Sequence, residues 1–191
     1  MKQRSVLTAQ LRKAWRACIE IDYHARRINS ERSLQAAYWS QLNDLLSKSR
    51  RIFIEPAITI STGGEKKVYY PDLVVTNTRD VIGVVELKYL PRVKPKFEKD
   101  MNTLAAIARN RKRVMLKNDR YRGSKTTGEA YMLSDKIIFA WGGIHGYDKA
   151  NYQDKNTPPL SKGYRILKDC FLEMHAETVM DEEPSIYYKK G

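Results

Sequence analysis

Cysteine is nearly missing from this chain: Cys18 and Cys170 are the only two in 191 residues, and they are far apart. That excludes a disulfide framework and a clustered thiolate metal site, leaving two reduced thiols in an intracellular protein. Histidine is equally thin. His24, His145 and His175 stand isolated, without HxxxH-like or HNH-like spacing, and are expected to be ordinary surface or interface residues. No apolar run approaches the roughly 20 residues of a membrane helix. The opening MKQRSVLTAQLRKAW has charge but no apolar stretch behind it, so no secretion signal is expected. There is no internal repeat, low-complexity tract or long Pro/Gly/Ser linker, which leaves one domain. Acid is also short, with 22 Asp+Glu against 35 Lys+Arg, for a net charge of +13 and a pI near 9.7. A balance this basic points to a polyanionic partner, nucleic acid ahead of an anionic membrane surface. The expectation is a soluble, cytoplasmic, nucleic-acid-binding protein without a membrane partner.

What is present reads as mixed α/β. Val6, Leu7, Leu11, Ala14, Trp15, Cys18, Ile19 and Ile21 give residues 5–28 helical spacing. A second helix follows in ERSLQAAYWSQLNDLLSKS, with Leu34, Ala37, Tyr38, Leu42, Leu45 and Leu46 on one stripe. The period then changes. RIFIEPAITI, KVYYPDLVVT and VIGVVELKYL read as three consecutive strands, with STGGEKK and NTRD as turns. KFEKDMNTLAAIARNRKRVMLKN reads as a helix, NDRYRGSKTTGEA as a loop and DKIIFAWGGI as a fourth strand. YDKANYQDKNTPPLSKG reads as a long polar loop and YRILKDCFLEMHAETVM as a closing helix; MDEEPSIYYKKG reads as a poorly ordered tail. Three consecutive strands imply an antiparallel meander, and the helix before the fourth allows a parallel crossover.

Two of these strands carry charge where buried strands exclude it. Asp72 opens YYPDLVV; Glu86 and Lys88 lie late in VVELKYL. The turn between the strands is centred near residues 78–79, so pairs whose numbers sum to about 158 put residue 72 opposite 86. Directly opposite residues share a face, with Cβ atoms about 4.5–5.5 Å apart. Lys88 shares that face with Glu86, because side chains alternate along a strand. A slip of one residue would send Asp72 to the other face. Two carboxylates at one point repel unless a cation lies between them. Carboxylate oxygens with open positions suit magnesium, which takes one or two carboxylates plus substrate phosphate oxygens. The outline is that of a hydrolytic phosphodiesterase; the bland alternative is a salt bridge on a strand face.

These residues resemble the PD-(D/E)xK superfamily, the restriction-endonuclease-like nucleases. Pro71-Asp72 matches the PD, and Glu86-Leu87-Lys88 matches the (D/E)xK. The family core of helix, three-strand meander, helix and fourth strand is followed in order by residues 31 to about 144. The resemblance implies a restriction-endonuclease-like mixed β-sheet flanked by helices, over 30–145. It leaves 1–29 as an extra N-terminal helix and 146–191 as a C-terminal loop and helix. It implies that Asp72, Glu86 and the Leu87 backbone carbonyl hold Mg2+, with Mn2+ able to substitute. It implies that Lys88 positions or activates water, and that Glu31 supplies an acid from the preceding helix. Gln35, one turn on, and Glu55 are supporting candidates, and Glu20 is a weaker rival to Glu31. DNA is favoured over RNA, and a homodimer is expected because small members commonly pair to cut both strands.

Residues 88–125 hold thirteen Lys or Arg against Glu98, Asp100 and Asp119, most of the chain's excess. Arg109, Arg111, Lys112 and Arg113 are the expected phosphate-contacting group, with Tyr121 and Arg122 as further contacts. Two other readings stand beside the nuclease. One is a non-catalytic nucleic-acid-binding protein retaining the nuclease fold. The other is a protein-interaction domain, in which Asp72 and Glu86 point apart or are locked in salt bridges.

Overall fold

The computed structural model describes residues 2–94, 97–122, 125–146, 162–179 and 182–190; the side chains of 2, 3, 119–122, 125–127, 129 and 162 lie outside that description. The long polar loop expected at 147–163 falls almost wholly outside it, as do the side chains of Tyr121 and Arg122.

The fold is mixed α/β, with a mixed sheet flanked by helices. Helix α1 (Lys2–Ala17) runs into a π-helical turn, Cys18–Tyr23, and α2 follows at Glu31–Leu45. Ser30 caps α2 by accepting from the Ser33 N–H, while the Ser33 hydroxyl accepts from the Ser30 N–H, a reciprocal capping box. The expected first strand is two: β1 (Arg51–Ile54) and β2 (Ile58–Thr62), broken at Glu55-Pro56-Ala57, where Glu55 takes φ 45°. Strand β2 turns through Gly63 and Gly64, at φ 58° and 87°, into β3 (Glu65–Tyr69). Left-handed backbone at both positions is why glycines stand there. Then come β4 (Leu73–Thr76), β5 (Asp80–Leu90) and α3 (Glu98–Arg109).

Strand β1 pairs antiparallel with β4, and β4 with β5. The three-strand meander is therefore present, with the β2–β3 hairpin inserted between its first two members. The expected helix holds as α3, but its last residues from Val114 and the expected loop up to residue 130 contribute to a hairpin instead: β6 (Val114–Arg122) pairs with the start of a 22-residue strand, β7 (Lys125–Gly146). The second half of β7 pairs parallel with β5, as the crossover allowed. The expected closing helix is a short 3-10 turn, Lys162–Leu167, followed by strand β8 (Phe171–Thr178), parallel to β7. The expected tail supplies β9 (Ser185–Lys190), antiparallel to β8.

Strands β4 and β5 are buried on both faces, which is why they read as near-continuous apolar runs. On one face Leu73, Val75, Val85 and Leu87 pack against Leu7, Leu11 and Trp15 of α1 and Leu34 and Tyr38 of α2. Helix α1 is thus part of this core. On the other face Val74 and Val84 pack against Met101 and Leu104 of α3 and Ile58 of β2.

Candidate active site

Leu73, Val74 and Val75 face Val85, Val84 and Gly83, so the numbers of each pair total 158, up to a bulge before Thr76. Asn77 makes the turn, its side-chain oxygen accepting from the N–H groups of Arg79 and Asp80. This register sets Asp72 opposite Glu86. Both, with Lys88, lie on the face covered by α3, since they are an even number of residues from Val74 and Val84 on their strands.

Strand β4 stops at Leu73 while β5 runs on, so β5 has no strand partner on that edge beyond Val85. The Asp72 carboxylate replaces it: the Leu87 N–H donates to Asp72 Oδ2 at 2.5 Å. In an extended strand the C=O of a residue points to the same edge as its N–H, which sets the Leu87 carbonyl beside the Asp72 carboxylate. The backbone of Asp72 is itself fixed. Its carbonyl accepts from the Glu55 N–H at 3.0 Å and from Gln35 Nε2 at 3.0 Å. Gln35 and Glu55 therefore hold the turn that carries Asp72, and the Glu55 carboxylate lies 3.5 Å from Gln35 Nε2.

Glu86 is buried at 8 % exposure and shares a hydrogen bond with Asp72. Burial, then the charges of Asp72 and Asp100, push the Glu86 carboxyl up to about 10. Burial pushes Asp72 up to about 6, against the pull of the Leu87 N–H. Two carboxyls closed up together thus share a proton near neutrality, the condition expected when a cation is needed between them.

Lys88 sits differently from expectation. Its ammonium lies 3.2 Å from Glu31 Oε2 and 3.6 Å from Asp100 Oδ1, between the first turns of α2 and α3. Burial works to lower its pKa, but the Asp100 and Glu31 carboxylates outweigh that and hold it above the ordinary lysine value. Glu31 therefore anchors the lysine in this structure. Asp100 is the residue that sequence reasoning missed. It is buried at 5 % exposure, and its Oδ2 accepts from Trp141 Nε1 at 3.1 Å. The signal was there: Asp100 lies on the same face of α3 as Leu104, Ile107 and Ala108, an acid in an apolar stripe.

Behind Trp141 lies a buried polar group that corrects the expectation for two histidines. His145 of β7 and His175 of β8 are 4 % and 3 % exposed. His145 Nε2 is 3.0 Å from His175 Nδ1, and His175 Nε2 is 3.0 Å from Glu173 Oε2. The Trp141 ring centroid is 5.4 Å from that of His175, and Tyr187 stacks on His175 at 4.5 Å. Parallel pairing of β7 with β8 brings these groups together across about thirty residues of sequence. Burial, then His175, pushes His145 down to about 4. His24 is exposed, as expected, beside Glu183.

The expected phosphate-binding group is at the far end of α3, about 14 Å from Asp100 at 1.5 Å per residue. Arg109 donates to the Gly163 carbonyl. Arg111 donates to the Asp135 carbonyl and Cys170 Sγ, each at 3.4 Å, and Arg113 to Thr62 Oγ1 at 3.4 Å. Lys112 is exposed. These cations lie apart from the carboxyl pair and are partly engaged by the protein itself.

For a divalent cation, the site offers the Asp72 and Glu86 carboxyls and the edge carbonyl of Leu87. Among the described residues no three His, Cys, Asp or Glu side chains group as metal ligands. The donor set is therefore two carboxylates and a backbone oxygen. It fits Mg2+, which keeps several waters and uses few protein ligands. Formally, four carboxyls, Glu31, Asp72, Glu86 and Asp100, surround one ammonium. No protein-family model, curated protein or solved structure matches the chain. Among the described residues no helix is long and apolar enough to cross a membrane.

Proposed function

We propose that this chain is a Mg2+-dependent DNA endonuclease with a restriction-endonuclease-like core. The observation that carries the reading is the meeting of the Asp72 and Glu86 carboxyls, sharing a hydrogen bond, where β4 ends beside β5. The order α2, β1, β4, β5, α3, β7, with β7 parallel to β5, supports the same reading. Asp72, Glu86 and the Leu87 carbonyl would hold Mg2+, or Mn2+ in its place, which would neutralise charge as it builds on the phosphorus-centred transition state. Lys88 is protonated at neutral pH, so it does not take a proton. Its ammonium donates to the attacking water or to a phosphate oxygen, aimed there by Glu31 and Asp100. Two copies of the chain would serve a cut in both strands, and the cytoplasm is the proposed setting.

A specific observation favours a second reading, a non-catalytic nucleic-acid-binding protein of the same fold. Lys88 is held between Glu31 and Asp100 and not by the carboxyl pair. Incubation with supercoiled, linear and single-stranded DNA and with RNA, in Mg2+, Mn2+ or chelator, separates the two. The nuclease reading expects metal-dependent cleavage of DNA. Salt-sensitive DNA binding without cleavage of any substrate in either metal would favour the second.

A further inference from the structure

A groove of ≈ 540 Å³ runs between β3 and α3 and reaches Arg109 at the end of the helix. Lys67 and Tyr69 form one wall; Lys99, Asn102, Thr103 and Arg109 are on the other. Each wall is linked to the carboxyl site along the chain. Tyr69 stands three residues before Asp72, and Lys99 directly precedes Asp100. Lys67, Lys99 and Arg109 bring three cations to it against one acid, Glu98. Its aromatic wall is firmly seated. Tyr69 is half-buried, packs against the core that contains Val74 and Met101, and pairs with Ile58 across the hairpin. The Lys67 ammonium lies 5.2 Å from the centre of its ring.

We infer that this groove binds a single strand of nucleic acid leading to or from the carboxyl site. It joins a track of cations to a fixed aromatic face. The first recruits phosphates without regard to sequence, and the second stacks an unpaired base. A duplex has no exposed base face to offer Tyr69. The stretch from Lys99 to Arg109 rises about 15 Å along the helix. The inference depends on the nuclease reading only for where the scissile phosphate lies.

The test is a fluorescence-anisotropy titration of the full chain with a short labelled oligothymidylate, in chelator, at several salt concentrations. Lys67 and Lys99 are exposed, so the paired change Lys67→Ala with Lys99→Ala leaves the fold intact. It should weaken binding by about tenfold or more and flatten the salt slope by about 1.4, from about 0.7 per phosphate contact on a single strand. Tyr69→Leu should weaken binding at least about fivefold, with Tyr69→Phe close to the parent. If Tyr69→Leu misfolds by circular dichroism, the lysine pair decides. Lys48→Ala, on an exposed lysine between α2 and β1, should change nothing. Unchanged affinity and slope in the lysine pair would overturn the inference. So would equal competition by polyglutamate, or by a blunt duplex of the same length. Because metal is absent, the outcome is independent of cleavage. A chain that never cuts but loses binding in these variants keeps the groove, and one that cuts and binds normally in them loses it.

Discussion

Glu86 is the residue on which the chemistry and the stability of this protein meet. In the fold its carboxyl is pushed up to about 10, from an ordinary 4.5. Between those values the folded chain keeps a proton that the unfolded chain gives up. Its stabilising effect is complete below pH 4.5 and is lost as pH rises through about 10. Asp72, raised to about 6, acts in the same direction at lower pH. His145, pushed down to about 4, acts oppositely and costs stability as pH falls from 6.5. Above neutrality Glu86 therefore governs among the three. Metal-free Glu86→Gln should be more stable than the parent at pH 8–9, by about 1–3 kcal/mol, the cost of a buried group left uncompensated. Urea unfolding in chelator measures this; a less stable variant there would contradict the proton assignment. On the proposed reading Mg2+ would have to displace the same proton, so its affinity should rise with pH toward about 10 in the parent, and its stabilising effect should vanish in Glu86→Gln. A thermal-shift series in Mg2+ against pH reads both. Trp141 acts one step further back, through Asp100. Trp141→Phe removes the donor to Asp100 and should cost about tenfold to a hundredfold in cleavage. Because Trp141 is fully buried and Asp100 loses its donor, a stability loss of about 1–3 kcal/mol accompanies this, so cleavage is compared at a temperature where the variant is folded. Cleavage at the parent rate would mean that Asp100 does not aim Lys88.

Among the elements, β7 ties the site to the core. A Cβ on Gly143 would fall 2.0 Å from Trp141 Cη2, so the glycine is what lets the indole lie flat on the strand and reach Asp100. Gly143→Ala should destabilise by about 1–3 kcal/mol, the range for overpacking, and lower cleavage along with it; a stable, fully active variant would contradict this packing. The element scale also separates what could be read in the sequence from what could not. The β4–β5 hairpin was legible down to its register, because two apolar runs flank an Asn-based turn and the acids sit at matched distances from it. The π-turn aside, both N-terminal helices were legible from their stripes. The β6–β7 hairpin was not: NDRYRGSKTTGEA is polar throughout, and pairing between its own two arms makes it strand. Nor was β8, where FLEMHAE is rich in helix formers; insertion beside β7, buried along most of its length, overrides that propensity. The isolated histidines hid a buried pair for the same reason, since strand adjacency leaves no trace in sequence spacing.

For the whole molecule, the net charge of +13 means that the proposed affinity for DNA would be an ionic quantity. Binding in chelator should fall steeply with salt, with a logarithmic slope steeper than about −3 if four or more phosphates are neutralised. A flat salt response would mean that the basic surface serves something other than a polyanion. The central claim is narrower, that Asp72, Glu86 and Lys88 form one metal-dependent phosphodiesterase site at the end of β4 and β5. Its most direct measurement is the rate of DNA cleavage in Mg2+ by the parent, Asp72→Asn and Lys88→Ala, with DNA affinity measured alongside. The account predicts metal-dependent cutting that both variants lose while still binding DNA. Cutting that survives in both, or DNA binding without cutting by the parent in any metal, would contradict it.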